Sequence, residues 1–225
     1  MQYLIRRARA TPELAGHWDG PAWKNADVAT LASFHPAGSD HRPVTRAKLL
    51  YDHAGVYVMF HVSDRYVVCT STQNQSATCR DSCVEVYFEP EPGKSGYFNF
   101  EMNCGGAQVL FYVTDPRRDP ENIFRAKEVV PQSLLDTIRV YHSMPKTVPA
   151  EITEPVEWTV EFFVPSALFE RYAGKLPPPE QRRWHGNFHK CADESSHPHW
   201  ASWSPIQEEL NFHVPATFGR FHFET

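Results

Sequence analysis

No stretch of the 225-residue chain approaches the run of roughly 18 uninterrupted apolar residues that a membrane-spanning helix needs. A membrane is therefore not expected as a partner. A basic excess is missing too: 22 Lys and Arg stand against 27 Asp and Glu, a net charge of −5. Nucleic-acid binders carry a basic footprint, so nucleic acid is not expected either. The opening residues MQYLIRRARATPEL lack an apolar core followed by a small-residue cleavage site. Their arginines follow the only apolar cluster, the reverse of a signal peptide. Read as complete, the chain is expected to be cytoplasmic; a mature secreted or periplasmic domain with a new start Met would read the same.

A closed disulfide framework is also missing. The five cysteines, Cys69, Cys79, Cys83, Cys104 and Cys191, are odd in number. Cys79 and Cys83 have the loose spacing of a metal clip but no second clip to match. Most of the five are expected to be reduced, semi-buried thiols. No G-x-S-x-G elbow, P-loop or dinucleotide fingerprint occurs. What is plentiful is proline, 19 residues, and apolar material, 41% of the chain with 13% aromatic. Interior proline breaks helices, which excludes a long helical bundle. The apolar fraction excludes a wholly disordered chain.

The informative pattern is alternation. In GVYVMFHVSD, Val56, Val58, Phe60 and Val62 share one face, with Tyr57, Met59 and His61 on the other. The preceding 45–51 is strand-like, and Asp52-His53-Ala54-Gly55 joins the two as a hairpin. In CVEVYFE, Val84, Val86 and Phe88 oppose Glu85, Tyr87 and Glu89. In YFNFEMN, Phe98, Phe100 and Met102 oppose Tyr97, Asn99, Glu101 and Asn103. Such strands predict an antiparallel sheet with one apolar and one solvated polar face. Further strands are expected at 108–113, 136–142, 157–164, 184–190 and 217–223, with DPRRDPE (115–121) a polar loop. Pro165 opens a short helix over 166–172 that ends at Gly174. The expectation is an all-β fold: one antiparallel β-sandwich, lectin- or jelly-roll-like, with one short helix and long loops, spanning 1–225 as a single domain.

Several segments in order carry a resemblance. They are Trp18-Asp19-Gly20 with Trp23, the hairpin AKLLYDHAGVYVMFHVSD, Asp81-Ser82-Cys83-Val84-Glu85, YFNFEMNCGG, WTVEFFVPSALF, Gly186-Asn187-Phe188 and FHVPATFGRFHF. Together they resemble the family 9 carbohydrate-binding modules and, more broadly, DOMON-like β-sandwiches. The resemblance implies a non-catalytic module for a mono- or oligosaccharide, associated with glycoside hydrolases in bacterial carbohydrate catabolism. It implies structural calcium, for which Asp19, Asp64 and Asp81 are candidates. It also implies a sugar ring between two tryptophans, one six residues before Glu85 and one three after Asn187. Here those positions hold Cys79 and Lys190.

From the residues themselves, Glu85, Tyr87, Asn99 and Glu101 offer the planar hydrogen-bonding groups that read sugar hydroxyls. Glu85 and Glu101 on neighbouring strands would also suit a hydrolase pair. The stretch WHGNFHKCADESSHPHWASWSP adds Asn187, Lys190, Trp200 and Trp203, the tryptophans as a replacement aromatic platform or as cover for the core edge. Its His185, His189, His197 and His199 are metal-ligand types, which leaves open a metal- or haem-binding protein or enzyme. An interaction domain with a decayed sugar site is a third reading.

Overall fold

The computed structural model describes residues 1–94, 96–121, 123–207 and 209–225. Its strands, in chain order, begin with β1 (Gln2–Arg7), β2 (Ala29–Thr30), β3 (Ser33–Phe34), β4 (Val44–Tyr51), β5 (Gly55–Asp64) and β6 (Val67–Cys69). The central hairpins follow: β7 (Cys83–Glu89), β8 (Tyr97–Asn103), β9 (Gln108–Arg118) and β10 (Phe124–Val129). The last are β11 (Arg139–His142), β12 (Val148–Ile152), β13 (Val156–Pro165), β14 (Trp184–Cys191), β15 (Trp200–Ser202) and β16 (Gly219–Phe223). Helices α1 (Gln132–Leu135) and α2 (Ser166–Ala173) complete it, one helix more than expected.

Hydrogen bonding runs without a break along β10-β9-β8-β7-β14-β16-β1-β4-β5-β13-β11. The pairings are antiparallel except at β1. That strand lies parallel to β16 through Gln2–Ile5 and parallel to β4 through Arg6 and Arg7. The path thus curls into two facing layers joined by β1. Phe60 meets Phe188 across the gap, and Phe100 meets Phe162, at ring separations of 6.0 and 6.3 Å. The predicted inner faces are the observed core: Val56, Val58, Phe60 and Val62; Val84, Val86 and Phe88; Phe98, Phe100 and Met102. On α2, Phe169 closes one end against Phe88, Phe98 and Trp184. Gly174, at φ +79°, stops that helix where a side chain would be strained.

Three sequence expectations are corrected. The outer faces are not open to water: every residue of β7 and β8 is buried. Loops cover them, held by hydrogen bonds from Gly93 N to Glu89, from Asn103 to Ser71 O, and between the Tyr87 and Tyr97 hydroxyls and the His213 ring. The strand expected at 136–142 starts at Arg139, since Asp136 caps α1. The polar 115–118 is not loop but the tail of β9, held by pairing with β10.

Candidate functional site

The outer face of β7, β8, β9 and β14 forms the floor of a cleft of about 560 Å³. Period two places Cys83, Glu85 and Tyr87 of β7 on this face, with Asn99 and Glu101 of β8 beside them. Glu85 stands directly opposite Glu101 in the register and opposite His189 of β14. Loops 75–79, 191–200 and 210–213 rise around the rim, with Phe111 of β9 and Phe124 and Lys127 of β10.

The floor is buried and largely hydrogen-bonded. Asn99 Nδ2 donates to Glu101 Oε1 at 2.6 Å, and Thr78 Oγ1 donates to Oε2 at 3.4 Å. Cys191 Sγ donates to Glu85 Oε1 at 3.3 Å, while Glu85 Oε2 has no hydrogen-bond partner among the described residues. Burial, reinforced by the neighbouring Glu101 charge, pushes the Glu85 carboxyl well above the usual range. Burial likewise raises Glu101 to about 7, against the hydrogen bonds from Asn99 and Thr78. A protonated carboxyl donates as well as accepts, so this floor can pair with either end of a hydroxyl. Tyr87 and Tyr97 bond the two ring nitrogens of His213 at 3.1 and 2.9 Å. Burial, with Arg118 and Lys127 nearby, lowers His213 to about 3 and keeps that ring neutral. Trp200 Nε1 donates to Asp193 Oδ1 at 2.7 Å, which fixes its indole at the rim. The Lys127 ammonium lies 3.7 Å from the Phe111 ring centre.

Of the residues selected from sequence, Glu85, Tyr87, Glu101 and Trp200 line this cleft. Asn99 sits behind Glu101 and also accepts from the Phe111 amide. Asn187 shares the outer face but is occupied: Oδ1 accepts from Ser204 N and Phe188 N, and Nδ2 donates to Ser204 O. Lys190 is on the other face of β14, fully buried. Its Nζ is 2.8 Å from His199 Nε2 and 3.5 Å from Asp64 Oδ2. Trp203 belongs to the core, against Tyr3, Phe188 and Phe221.

The four histidines are dispersed. His185 approaches Glu89, His189 lies flat on Phe212 at 4.0 Å, His197 stacks on Tyr66, and His199 accepts from Lys190. Among the described residues none of them joins a cluster of metal-ligating atoms. The calcium candidates do not converge either. Asp19 is beside Lys48, Asp64 is paired with Lys190 and His41, and Asp81 accepts from Thr70, Ser71 and Asn103. With Asp64 and Asp81 so engaged, and Asp19 exposed and 3.8 Å from an ammonium, these three carboxylates do not fit a calcium cage.

The sequence reading missed Phe111, Phe124, Lys127 and Phe212. For Phe111 the signal was present, since it alternates with the core residues Leu110 and Tyr112. Phe212 comes from an irregular loop with no periodicity to read.

The profile of carbohydrate-binding family 9 matches residues 23–223. The chain belongs to carbohydrate-binding family 9. Its fold is shared by a Bacteroides uniformis ATCC 8492 protein described as a candidate carbohydrate-binding protein. The two are 22% identical, with a TM-score of 0.84 over 99% of both chains. A family 9 module from Caldicellulosiruptor kristjanssonii in complex with cellotriose is 12% identical, with a TM-score of 0.63 over 100% of this chain and 94% of that one. A family 9 structure from that organism with glucose gives 12% and 0.61, over 98% and 95%. No curated protein matches the chain. Of the two positions where the resemblance expects tryptophan, Cys79 lines this cleft and Lys190 faces away from it.

Proposed function

We propose that the chain binds a neutral mono- or oligosaccharide in the cleft over Glu85 and Glu101, without transforming it. The observation that carries the reading is the pairing of a hydrogen-bonding floor with an aromatic rim in one cleft. Glu85, Glu101 and Tyr87 offer donors and acceptors to ring hydroxyls, and Phe111, Trp200 and Phe212 offer faces for C–H patches. The volume lies within the roughly 300–1,000 Å³ of small-molecule sites. Relatives of the same fold are in complex with glucose and cellotriose. In this reading Trp200 and the two phenylalanines stand in for the tryptophans absent at Cys79 and Lys190.

Calorimetry with glucose and cello-oligosaccharides, followed by a broad glycan array, tests it. Trp200→Ala is expected to weaken the sugar found by at least about tenfold, about 1.4 kcal/mol. Trp18→Ala, remote from this cleft, should leave affinity unchanged. A native chain that binds no sugar on the array refutes the proposal.

A further inference from the structure

Beside Glu85, the floor of the cleft holds two thiols that sugar recognition does not require. Cys83 and Cys191 stand directly opposite each other on β7 and β14. Glu85 is two residues beyond Cys83, so the pleat returns it to the same face. The two sulfurs and a Glu85 oxygen all lie within 4.8 Å of one another, and no other described residues bring three such ligand types together. All three side chains are buried.

We propose that Cys83, Cys191 and Glu85 form a binding site for a zinc ion at the base of the cleft. Two sulfurs and one carboxylate suit a borderline-soft cation and do not suit calcium or magnesium, which take oxygen shells. Zinc bonds of about 2.3 Å to sulfur and 2.0–2.2 Å to oxygen place tetrahedral donors about 3.5–4 Å apart. Cys191 Sγ and Glu85 Oε1 are already 3.3 Å apart, so the set needs little rearrangement. An independent sign is Glu85 Oε2, a buried oxygen with no hydrogen-bond partner among the described residues. A buried carboxylate oxygen without a partner is costly, and a cation would satisfy it. Glu85 and Cys191 line the cleft, which gives the ion an entry path. On binding, each thiol and the Glu85 carboxyl give their protons to solvent and coordinate as thiolates and carboxylate. The site stands whether or not the cleft holds sugar.

The other close thiol pair supplies the control. Cys69 and Cys104 lie beside each other, and Cys69 Sγ donates to Lys146 O, but among the described residues no carboxylate or imidazole joins them in a ligand cluster. The test is titration of the reduced, chelator-treated full chain with Co²⁺ as a coloured surrogate, then displacement by Zn²⁺. The expected result is one ion per chain, thiolate-to-cobalt charge-transfer absorption, and bleaching by zinc. Cys191→Ser should lose the charge-transfer band and weaken zinc at least about 100-fold, more than follows from losing a group that only orients a ligand. Cys69→Ser should match the native chain. No charge-transfer band in the native protein, or one that survives Cys191→Ser, overturns the proposal. Should Cys191→Ser fail to fold by circular dichroism, Glu85→Gln decides. It must shift the cobalt bands and weaken zinc at least tenfold, and an unchanged spectrum overturns the assignment.

Discussion

A lysine ammonium with no exposed surface persists only where charge and hydrogen-bond acceptors meet it. Lys190 has three such partners. Asp64 supplies the charge, Cys191 O accepts at 3.0 Å, and His199 Nε2 accepts at 2.8 Å. The His199 tautomer follows from its other nitrogen, because Nδ1 faces the His197 carbonyl at 2.9 Å and must carry the proton there. Burial would raise the Asp64 carboxyl. Lys190, with the bonds from His41 and the Arg65 amide, outweighs it and holds the group well below the usual range. A depressed folded value means stability that is present above the unfolded value, about 3.9, and lost as pH falls toward the folded one. Asp64→Asn is therefore expected to cost about 3–5 kcal/mol at pH 7, where it leaves the ammonium buried and unpaired. That cost should shrink as pH drops below about 4, because the native chain loses the same contribution. Urea melts of both chains at pH 7 and pH 3 check this. A cost that is constant or larger at pH 3 contradicts it. The placement of Lys190 was half legible in the sequence. Lysine is rarely buried, which argues for a surface or site role. Yet the alternation of Trp184, Phe188 and Lys190 already put it on the core face of β14.

Elements built on strict alternation were read from sequence with their observed bounds: β5, β7 and β8. Two-residue β2 and β3 were not, since two residues carry no period. Strand β1 was missed because its pattern is interrupted by Arg6 and Arg7, which it keeps at the edge where Asp27 and Glu224 meet them. Strand β14 does more than continue the sheet. Gly186 allows β7 and β16 to close around it, for a Cβ there would fall 2.1 Å from Tyr87 O. One residue further, Asn187 ties the strand to Ser204, just ahead of the 210–213 loop that brings Phe212 and His213 to the cleft. The asparagine that the family resemblance marked for a ligand thus serves the scaffold. Asn187→Ala leaves buried backbone groups at Ser204 and Phe188 without their partners, and should cost about 2–4 kcal/mol in equilibrium unfolding. A loss below about 0.5 kcal/mol would show that the loop is held by other contacts.

At the scale of the whole molecule, the sandwich was legible because alternation is local, and the enclosure of its polar faces was not, because the covering loops come from distant parts of the chain. Glu85 and Glu101 could be put on one face from their spacing. Their burial depends on segments 75–79, 191–200 and 210–213, which no pattern ties to them. The same long-range weave bears on how the protein unfolds. Strand β1 belongs to both layers, since Tyr3 and Ile5 pair with β16 and then Arg6 and Arg7 pair with β4. Ile5 and Tyr3 are buried in the core shared by the two layers, and the Tyr3 hydroxyl accepts from Leu49 N of β4. Neither layer can lose β1 without opening that core. Calorimetry is therefore expected to give one transition, with calorimetric and van't Hoff enthalpies in agreement. Ile5→Ala should cost about 2–5 kcal/mol by leaving a cavity at the joint. At roughly 2–4 °C per kcal/mol for a chain of this size, the melting temperature should fall by about 4–20 °C. The transition should remain single, because the substitution weakens both layers together. Two resolved transitions, or a variant in which only one part melts early, would mean that the layers unfold independently and that β1 does not couple them.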